Sequence, residues 1–143
     1  MTTGRMSSLL IEAANRAEVT SLLIRCGYMV YRPEADFEGE DLVVKTPACE
    51  LLGVQLKGRP CVDWARYGGK RLWMLFPSAP FAVNIRRDWY LTPHDELYEW
   101  IEKRHGHTAK WGKAWSYPSM SADLRGKLKG QQIEPQKVGG ASG

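Results

Sequence analysis

The spacing of apolar residues predicts two long helices. Downstream of Ser7 and Ser8, either of which is a suitable N-cap, leucine, isoleucine and alanine recur at spacings of three and four as far as Gly27, which can end a helix in a left-handed conformation. The second predicted helix has Thr92 as its N-cap and Pro93 at its first position. This second helix continues at helical spacing through Leu97, Trp100 and Ile101.

Short apolar runs between these helices predict strands, at residues 28–31, 41–45, 51–57, 72–76 and 89–91. The second and third runs are separated by a Thr46-Pro47 turn and predict an antiparallel hairpin. The run at 72–76 is apolar almost throughout, which is typical of a strand inside a sheet. Residues 61–71 are predicted to be an irregular basic segment, and Ser121 begins a last short helix. The fold class is therefore α/β, with a mixed central sheet of about five strands flanked by helices.

The length of 143 residues fits one domain, which we assign to residues 1–129, followed by a flexible glycine-, glutamine- and lysine-rich tail over 130–143. No apolar run approaches the roughly 20 residues that cross a bilayer, and the start of the chain lacks the apolar region of a secretory signal. Three cysteines form no CxxC pair, so reduced thiols are expected. These features predict an intracellular, cytoplasmic protein with no membrane partner.

Charge is unevenly distributed along the chain. Residues 101–143 hold 8 basic and 3 acidic side chains, whereas residues 1–100 hold 12 basic and 13 acidic. An acidic cluster is followed by a basic one; the two comprise Glu34, Asp36, Glu38, Glu40 and Asp41, then Lys57, Arg59, Arg66, Lys70 and Arg71. Two solvated loops would explain this pattern, and so would a cation site beside a phosphate-binding track.

Three polar positions on the predicted hairpin point to one site. Side chains two apart on a strand share a face, so Gln55 and Lys57 project together, and hairpin pairing can place Asp41 beside them. On the first helix Glu18 falls in an otherwise apolar row, where it reaches solvent, pairs with Arg25 or another base, or serves as a cation ligand. Magnesium prefers oxygen ligands, commonly one or two carboxylates with waters and substrate phosphate. Asp41, Glu18, the Gln55 amide and the Leu56 carbonyl would supply such ligands, and the Lys57 ammonium would hold a scissile phosphate.

These residues resemble the core of the PD-(D/E)XK nuclease superfamily. The family pattern is a glutamate on a leading helix, an aspartate on the second strand, and an acidic residue or glutamine two before a lysine on the third strand, here Glu18, Asp41, Gln55 and Lys57. The Gln-x-Lys form is most similar to Holliday-junction-resolvase-like proteins and intron-associated homing endonucleases. Glu40 stands where the family often has proline, and Gln55 replaces the usual third carboxylate.

The resemblance implies a restriction-endonuclease-like core and a Mg²⁺-dependent endonuclease, with Mn²⁺ able to substitute, that hydrolyses DNA phosphodiester bonds. It implies Asp41, Gln55, Lys57 and Glu18 as catalytic residues and a possible homodimer. The nucleic-acid-binding residues would be Arg59, Arg66, Lys70 and Arg71. Because Gln55 removes one negative charge, the alternative is a nuclease-fold module that binds nucleic acid with little or no catalysis. A protein-interaction domain is the third possibility.

The C-terminal third offers weaker signals. Basic residues there are interleaved with Trp111, Trp115 and Tyr117, which would either stack on unpaired bases or, as we favour, belong to the core. His105 and His107 have no cysteine or third histidine nearby, which argues against zinc. His94 is predicted to lie at the surface with no functional role.

Overall fold

The structure, a computed structural model, describes residues 6–35 and 39–135. The helices of this part of the chain are α1 (Ser8–Arg25), α2 (Trp64–Tyr67), α3 (His94–His105), α4 (Ala122–Lys127) and a 3-10 turn at Lys129–Gln131. The strands are β1 (Met29–Tyr31), β2 (Leu42–Lys45), β3 (Leu51–Leu56), β4 (Cys61–Asp63), β5 (Trp73–Pro77), β6 (Trp89–Pro93) and β7 (Ala114–Ser116). All five predicted strands and the three predicted helices are present.

The main sheet has five strands in the order β1-β2-β3-β5-β6. Its neighbours are antiparallel except β3 and β5, which run parallel and therefore need a crossover connection. Residues 57–72 provide that crossover. The α/β class and the mixed five-stranded sheet flanked by helices are thus confirmed.

Helices cover both faces of this sheet. Side chains alternate along β5, so Leu75 packs in the cluster beneath α1, while Met74 and Phe76 pack in the cluster beneath α3 and α4. The α1 side is completed by Val19 and Leu23, which are fully buried. The sheet therefore separates two apolar layers, and α1 packs against the apolar side chains of the β2–β3 hairpin.

The ends of α1 follow their sequence signals. The Ser7 hydroxyl accepts a hydrogen bond from the Leu10 N–H at 3.3 Å, and Gly27 has a φ of 91°. The N–H groups of Gly27 and Tyr28 donate to the carbonyls of Ile24 and Leu23, which satisfies acceptors that the helix end would otherwise leave unpaired. α1 is thus an 18-residue helix with both ends capped.

Residues 61–71 differ from the prediction of an irregular segment. They contain β4 and α2, and β4 pairs antiparallel with β7, more than 50 residues later in the chain. A three-residue strand is too short to show an alternation of apolar and polar residues, so the sequence pattern did not indicate this pair. The start of α3 also differs, because Thr92 and Pro93 stay in β6 and the helix begins at His94 without a side-chain cap.

The predicted tail begins at Gly130, but its first residues pack against the sheet. Ile133 is buried, and its N–H donates to the Trp89 carbonyl at 2.9 Å. Residues 136–143 lie outside the described part of the chain, as do Asp36 and Glu38 of the acidic cluster. Within the described residues, no helix is long and apolar enough to cross a membrane.

Candidate active site

The β2–β3 hairpin brings Asp41, Gln55 and Lys57 together. Asp41 directly precedes β2, and its N–H donates to the Val54 carbonyl at 2.7 Å. One of its carboxylate oxygens accepts from the Leu56 N–H at 3.0 Å. The Asp41 carboxylate is therefore fixed against the backbone of the residue that separates Gln55 from Lys57.

These residues line a cavity of about 250 Å³ at the end of the hairpin. Its wall consists of Glu12, Asn15, Arg16, Asp41, Gln55, Leu56, Lys57 and Gly58. We refer to it as the hairpin cleft. The cleft contains three of the four residues that the sequence indicated as catalytic, together with Leu56, and α1 adds a carboxylate, an amide and a guanidinium.

Glu18, the fourth of those residues, lies elsewhere. Its carboxylate accepts from Arg87 Nη2 at 2.6 Å and from the indole Nε1 of Trp89 at 2.7 Å, and it does not line the hairpin cleft. At 1.5 Å of rise per residue, it sits about 9 Å further along α1 than Glu12. The structure therefore places the Glu18 carboxylate apart from the cleft that contains Asp41. Its partner is Arg87, which comes from the loop before β6.

Arg87 links α1 to the chain segment before β6. Its side chain is 1% exposed and also donates to Asn15 Oδ1 at 2.6 Å and to the Ala79 carbonyl at 3.0 Å. The guanidinium lies 5.1 Å from the Trp89 ring centroid, within cation–π range. Since Asn15 lines the hairpin cleft, Arg87 fixes one wall of the cleft without entering it.

Lys57 also lines a second cavity. Its ammonium lies 5.2 Å from the Tyr67 ring centroid, and the Arg66 guanidinium lies 5.7 Å from the same ring. Lys57, Arg66 and Tyr67 line this second cavity, of about 360 Å³, which is floored by β4 and β7. Two cations therefore share one aromatic support immediately beside the hairpin cleft.

The four predicted phosphate-binding residues are exposed but do not form one cluster. Arg59 lines a cavity that shares Asn15 and Gly58 with the hairpin cleft, whereas Arg66 lines the cavity on the Lys57 side. Lys70 and Arg71 lie in the turn after α2. That turn is tied to α3, because the Gly69 N–H donates to the Asp95 carboxylate at 3.1 Å.

His94 is fully buried, which corrects the predicted surface position. Its Nε2 accepts from the Asp63 N–H at 3.0 Å, so the ring proton is on Nδ1, which contacts the Asp95 carboxylate at 2.8 Å. The imidazole also packs edge-to-face against Tyr67. His94 thus positions β4 and the ring that supports Lys57, a role with no signal in the sequence.

The C-terminal aromatic residues belong to the core, as favoured. Trp111, Trp115 and Tyr117 pack partly buried against the cluster beneath α3, and Trp115 stacks on His105 with ring centroids 4.3 Å apart. The interleaved basic residues remain at the surface, where Arg104 pairs with Asp123 at 3.2 Å. His105 is occupied by this stacking and by the Tyr117 hydroxyl.

The cleft contains a few oxygen atoms of the kind that magnesium prefers as ligands. Among the described residues, its side-chain oxygens come from the carboxylates of Glu12 and Asp41 and from the amides of Gln55 and Asn15, the last of which accepts from Arg87. No group of three or more His, Cys, Asp or Glu side chains that could hold a metal occurs within residues 6–35 and 39–135. One or two carboxylates with water and substrate phosphate is the usual magnesium environment, so this donor set fits Mg²⁺ and does not fit zinc.

Glu12, Asn15 and Arg16 are the site residues that sequence reasoning missed. They recur at spacings of three and four and form a polar face on the first half of α1. That polar face was the signal that could have identified them.

The chain matches no family model, no curated protein and no solved structure.

Proposed function

We propose that the chain is a metal-dependent endonuclease of the PD-(D/E)XK type that hydrolyses phosphodiester bonds in DNA. The observation that carries the proposal is the convergence of Asp41, Gln55 and Lys57 on one cleft, with Asp41 bonded to the intervening Leu56 N–H. A carboxylate, an amide and an ammonium in one recess are the groups that bind a cation and a phosphate together.

In this proposal Asp41, the Gln55 amide oxygen and Glu12 hold Mg²⁺ or Mn²⁺, with the Leu56 carbonyl beside them. Glu12 takes the place that the family pattern gives to Glu18, since Glu12 lines the cleft and Glu18 is bonded to Arg87. When bound, the metal supplies Lewis-acid polarisation of the phosphate and activation of water.

Lys57 provides the second electrostatic element of the mechanism. Its backbone is fixed by a hydrogen bond from its N–H to the Leu75 carbonyl at 2.9 Å, and its ammonium rests near Tyr67. A half-buried ammonium beside the cleft neutralises charge that develops on the phosphate during hydrolysis. Arg16 and Arg66 flank it and would contact neighbouring phosphates without reading sequence.

The order of elements supports a restriction-endonuclease-like core. A leading helix contributes the carboxylate, the residue before the second strand contributes Asp41, and the third strand carries Gln55 and leads into Lys57. This is the order of the family pattern, with the helix carboxylate moved from position 18 to position 12.

One observation favours a second candidate, a nucleic-acid-binding module with the same fold. Within the described part of the chain two carboxylates line the cleft, because Gln55 is neutral. Weaker metal affinity would leave phosphate binding by Lys57 and its neighbouring arginines intact while slowing hydrolysis. Binding that falls steeply with salt but does not respond to metal would identify this module.

The test is cleavage of four DNA forms: supercoiled plasmid, linear duplex, four-way junction and single strand, with Mg²⁺ or Mn²⁺ against EDTA. Asp41→Asn keeps an oxygen acceptor for the Leu56 N–H and removes the charge, so the fold should persist. The control is Asp123→Asn, which removes a carboxylate from a surface ion pair on α4. Metal-dependent cleavage lost only in Asp41→Asn supports the proposal, and cleavage that survives Asp41→Asn or EDTA contradicts it.

A further inference from the structure

Two aliphatic side chains project into water from the loop that precedes β6. They are Val83 and Ile85, which are 69% and 57% exposed, and they lie on the 78–88 loop, residues 78–88 between β5 and β6. Single exposed apolar residues are common on protein surfaces. Two branched ones at the tip of a loop whose base is bonded to a cleft residue indicate a binding surface.

The base of the 78–88 loop is firmly closed. The Ser78 N–H donates to the Asp88 carbonyl at 2.8 Å, and the Asp88 N–H donates to the Ser78 hydroxyl at 3.1 Å. Buried Arg87 ties the loop to α1 through Asn15 and Glu18. Asn84, between the two aliphatic residues, has a φ of 65°, which turns the chain sharply at the tip.

The loop contributes to one wall of a groove that adjoins the hairpin cleft. Pro80 and Phe81, four and three residues before Asn84, line a cavity of about 290 Å³ with Arg59. This cavity shares Asn15 and Gly58 with the hairpin cleft. A strand held at the cleft would therefore pass along this wall and meet the loop.

Charge selects the occupant of this surface. Arg86, next to Ile85, is exposed, and so is Arg59 in the groove. A nucleic acid presents phosphates to these guanidinium groups and apolar base faces to Val83 and Ile85, whereas an apolar protein surface would match only the aliphatic pair.

We propose that Val83 and Ile85 are a wedge that inserts between bases next to the phosphate held at Lys57. The preferred substrate is then DNA with a base step that opens easily, as at a junction, flap or mismatch, because unstacking costs least there. The inference rests on the nucleic-acid-binding part of the proposed function and does not require hydrolysis.

The experiment measures binding in EDTA, where metal-dependent cleavage is off, to linear and four-way-junction DNA carrying 2-aminopurine at a base step. Unstacking raises the fluorescence of this base. Val83→Ser/Ile85→Ser is compared with Ile24→Ser/Leu51→Ser, two side chains that are 55% and 65% exposed and line neither the cleft nor the groove. We expect the tip variant to lose the fluorescence rise and a junction preference of about tenfold, while phosphate-driven affinity for linear duplex changes less than about threefold.

An unchanged fluorescence rise in the tip variant, or equal loss in the control variant, would overturn the wedge. So would a shift from dimer to monomer in sedimentation that is confined to the tip variant, since a second copy would then cover these residues. A tip-dependent fluorescence rise without cleavage under any metal would leave the wedge standing and refute the nuclease. Metal-dependent cleavage with no fluorescence rise would refute the wedge and leave the nuclease standing.

Discussion

Replacing Arg87 with methionine should destabilise the protein strongly. Methionine keeps much of the side-chain length and removes the guanidinium, which donates to Asn15 and Glu18 at 2.6 Å and to the Ala79 carbonyl at 3.0 Å. The change leaves the Glu18 carboxylate with the Trp89 indole as its remaining contact among those described above. It also releases the 78–88 loop from α1.

The expected loss of stability follows from the burial of the Arg87 and Glu18 side chains. Removing one partner of a buried ion pair typically costs about 3–5 kcal/mol, because the other charge stays buried without compensation. Here the Arg87 side chain is 1% exposed but the Glu18 side chain is 32% exposed, so water can solvate the carboxylate that remains. We therefore expect the free energy of unfolding to fall by about 3 kcal/mol, at the lower end of that range. Glu18→Gln should cost at least as much, about 3–5 kcal/mol, because the 1%-exposed Arg87 guanidinium then loses this countercharge and the new amide NH2 faces other donors.

Urea unfolding followed by circular dichroism measures this change. The matched control is Arg86→Met, because Arg86 is the exposed neighbour and its removal should shift the free energy of unfolding by less than about 0.5 kcal/mol. A loss below about 1 kcal/mol in Arg87→Met would refute the network as a stabilising element. Glu18→Gln should still cleave DNA below its unfolding temperature, since Glu18 lies outside the cleft.

Three further outcomes are expected. Because Glu12 lines the cleft, Glu12→Gln should lower the single-turnover rate of metal-dependent cleavage about 100-fold. Because Glu12 is exposed, the urea midpoint of unfolding should stay within error. Arg66→Gln should reduce the slope of log affinity against log salt by about one, since one phosphate contact is lost. Burial raises the pKa of the Cys61 thiol, which lowers its thiolate fraction at pH 8. A thiol reagent should therefore modify exposed Cys49 before Cys61, as read by mass spectrometry, and equal rates of modification would contradict this.

Much of the fold could be predicted because its signals are local. The caps of α1, the apolar alternation of β2 and β3 and the apolar run at β5 each fall within a few residues of sequence. The meeting of Asp41 with Gln55 and Lys57 could be predicted as well, because the hairpin that joins them is short and side-chain direction alternates along a strand.

The parts that could not be predicted depend on residues far apart in the chain. Glu18 was expected either at the metal or in an ion pair, and nothing in the sequence identifies Arg87, 69 residues later, as its partner. The pairing of β4 with β7 and the burial of His94 beneath that small sheet are likewise set by tertiary contacts. Periodicity identifies which residues share a face of an element, but not which distant loop covers that face.

The measurement that tests the central claim most directly is the single-turnover rate of DNA cleavage in Mg²⁺ for the wild type and for Lys57→Ala, with Lys45→Ala as the control lysine at the other end of the hairpin. We predict metal-dependent cleavage by the wild type, a loss of at least about 100-fold in Lys57→Ala with unchanged circular dichroism, and no change in Lys45→Ala. Equal rates in all three proteins, or no cleavage of any DNA form by the wild type, would contradict the assignment of the hairpin cleft as a nuclease site.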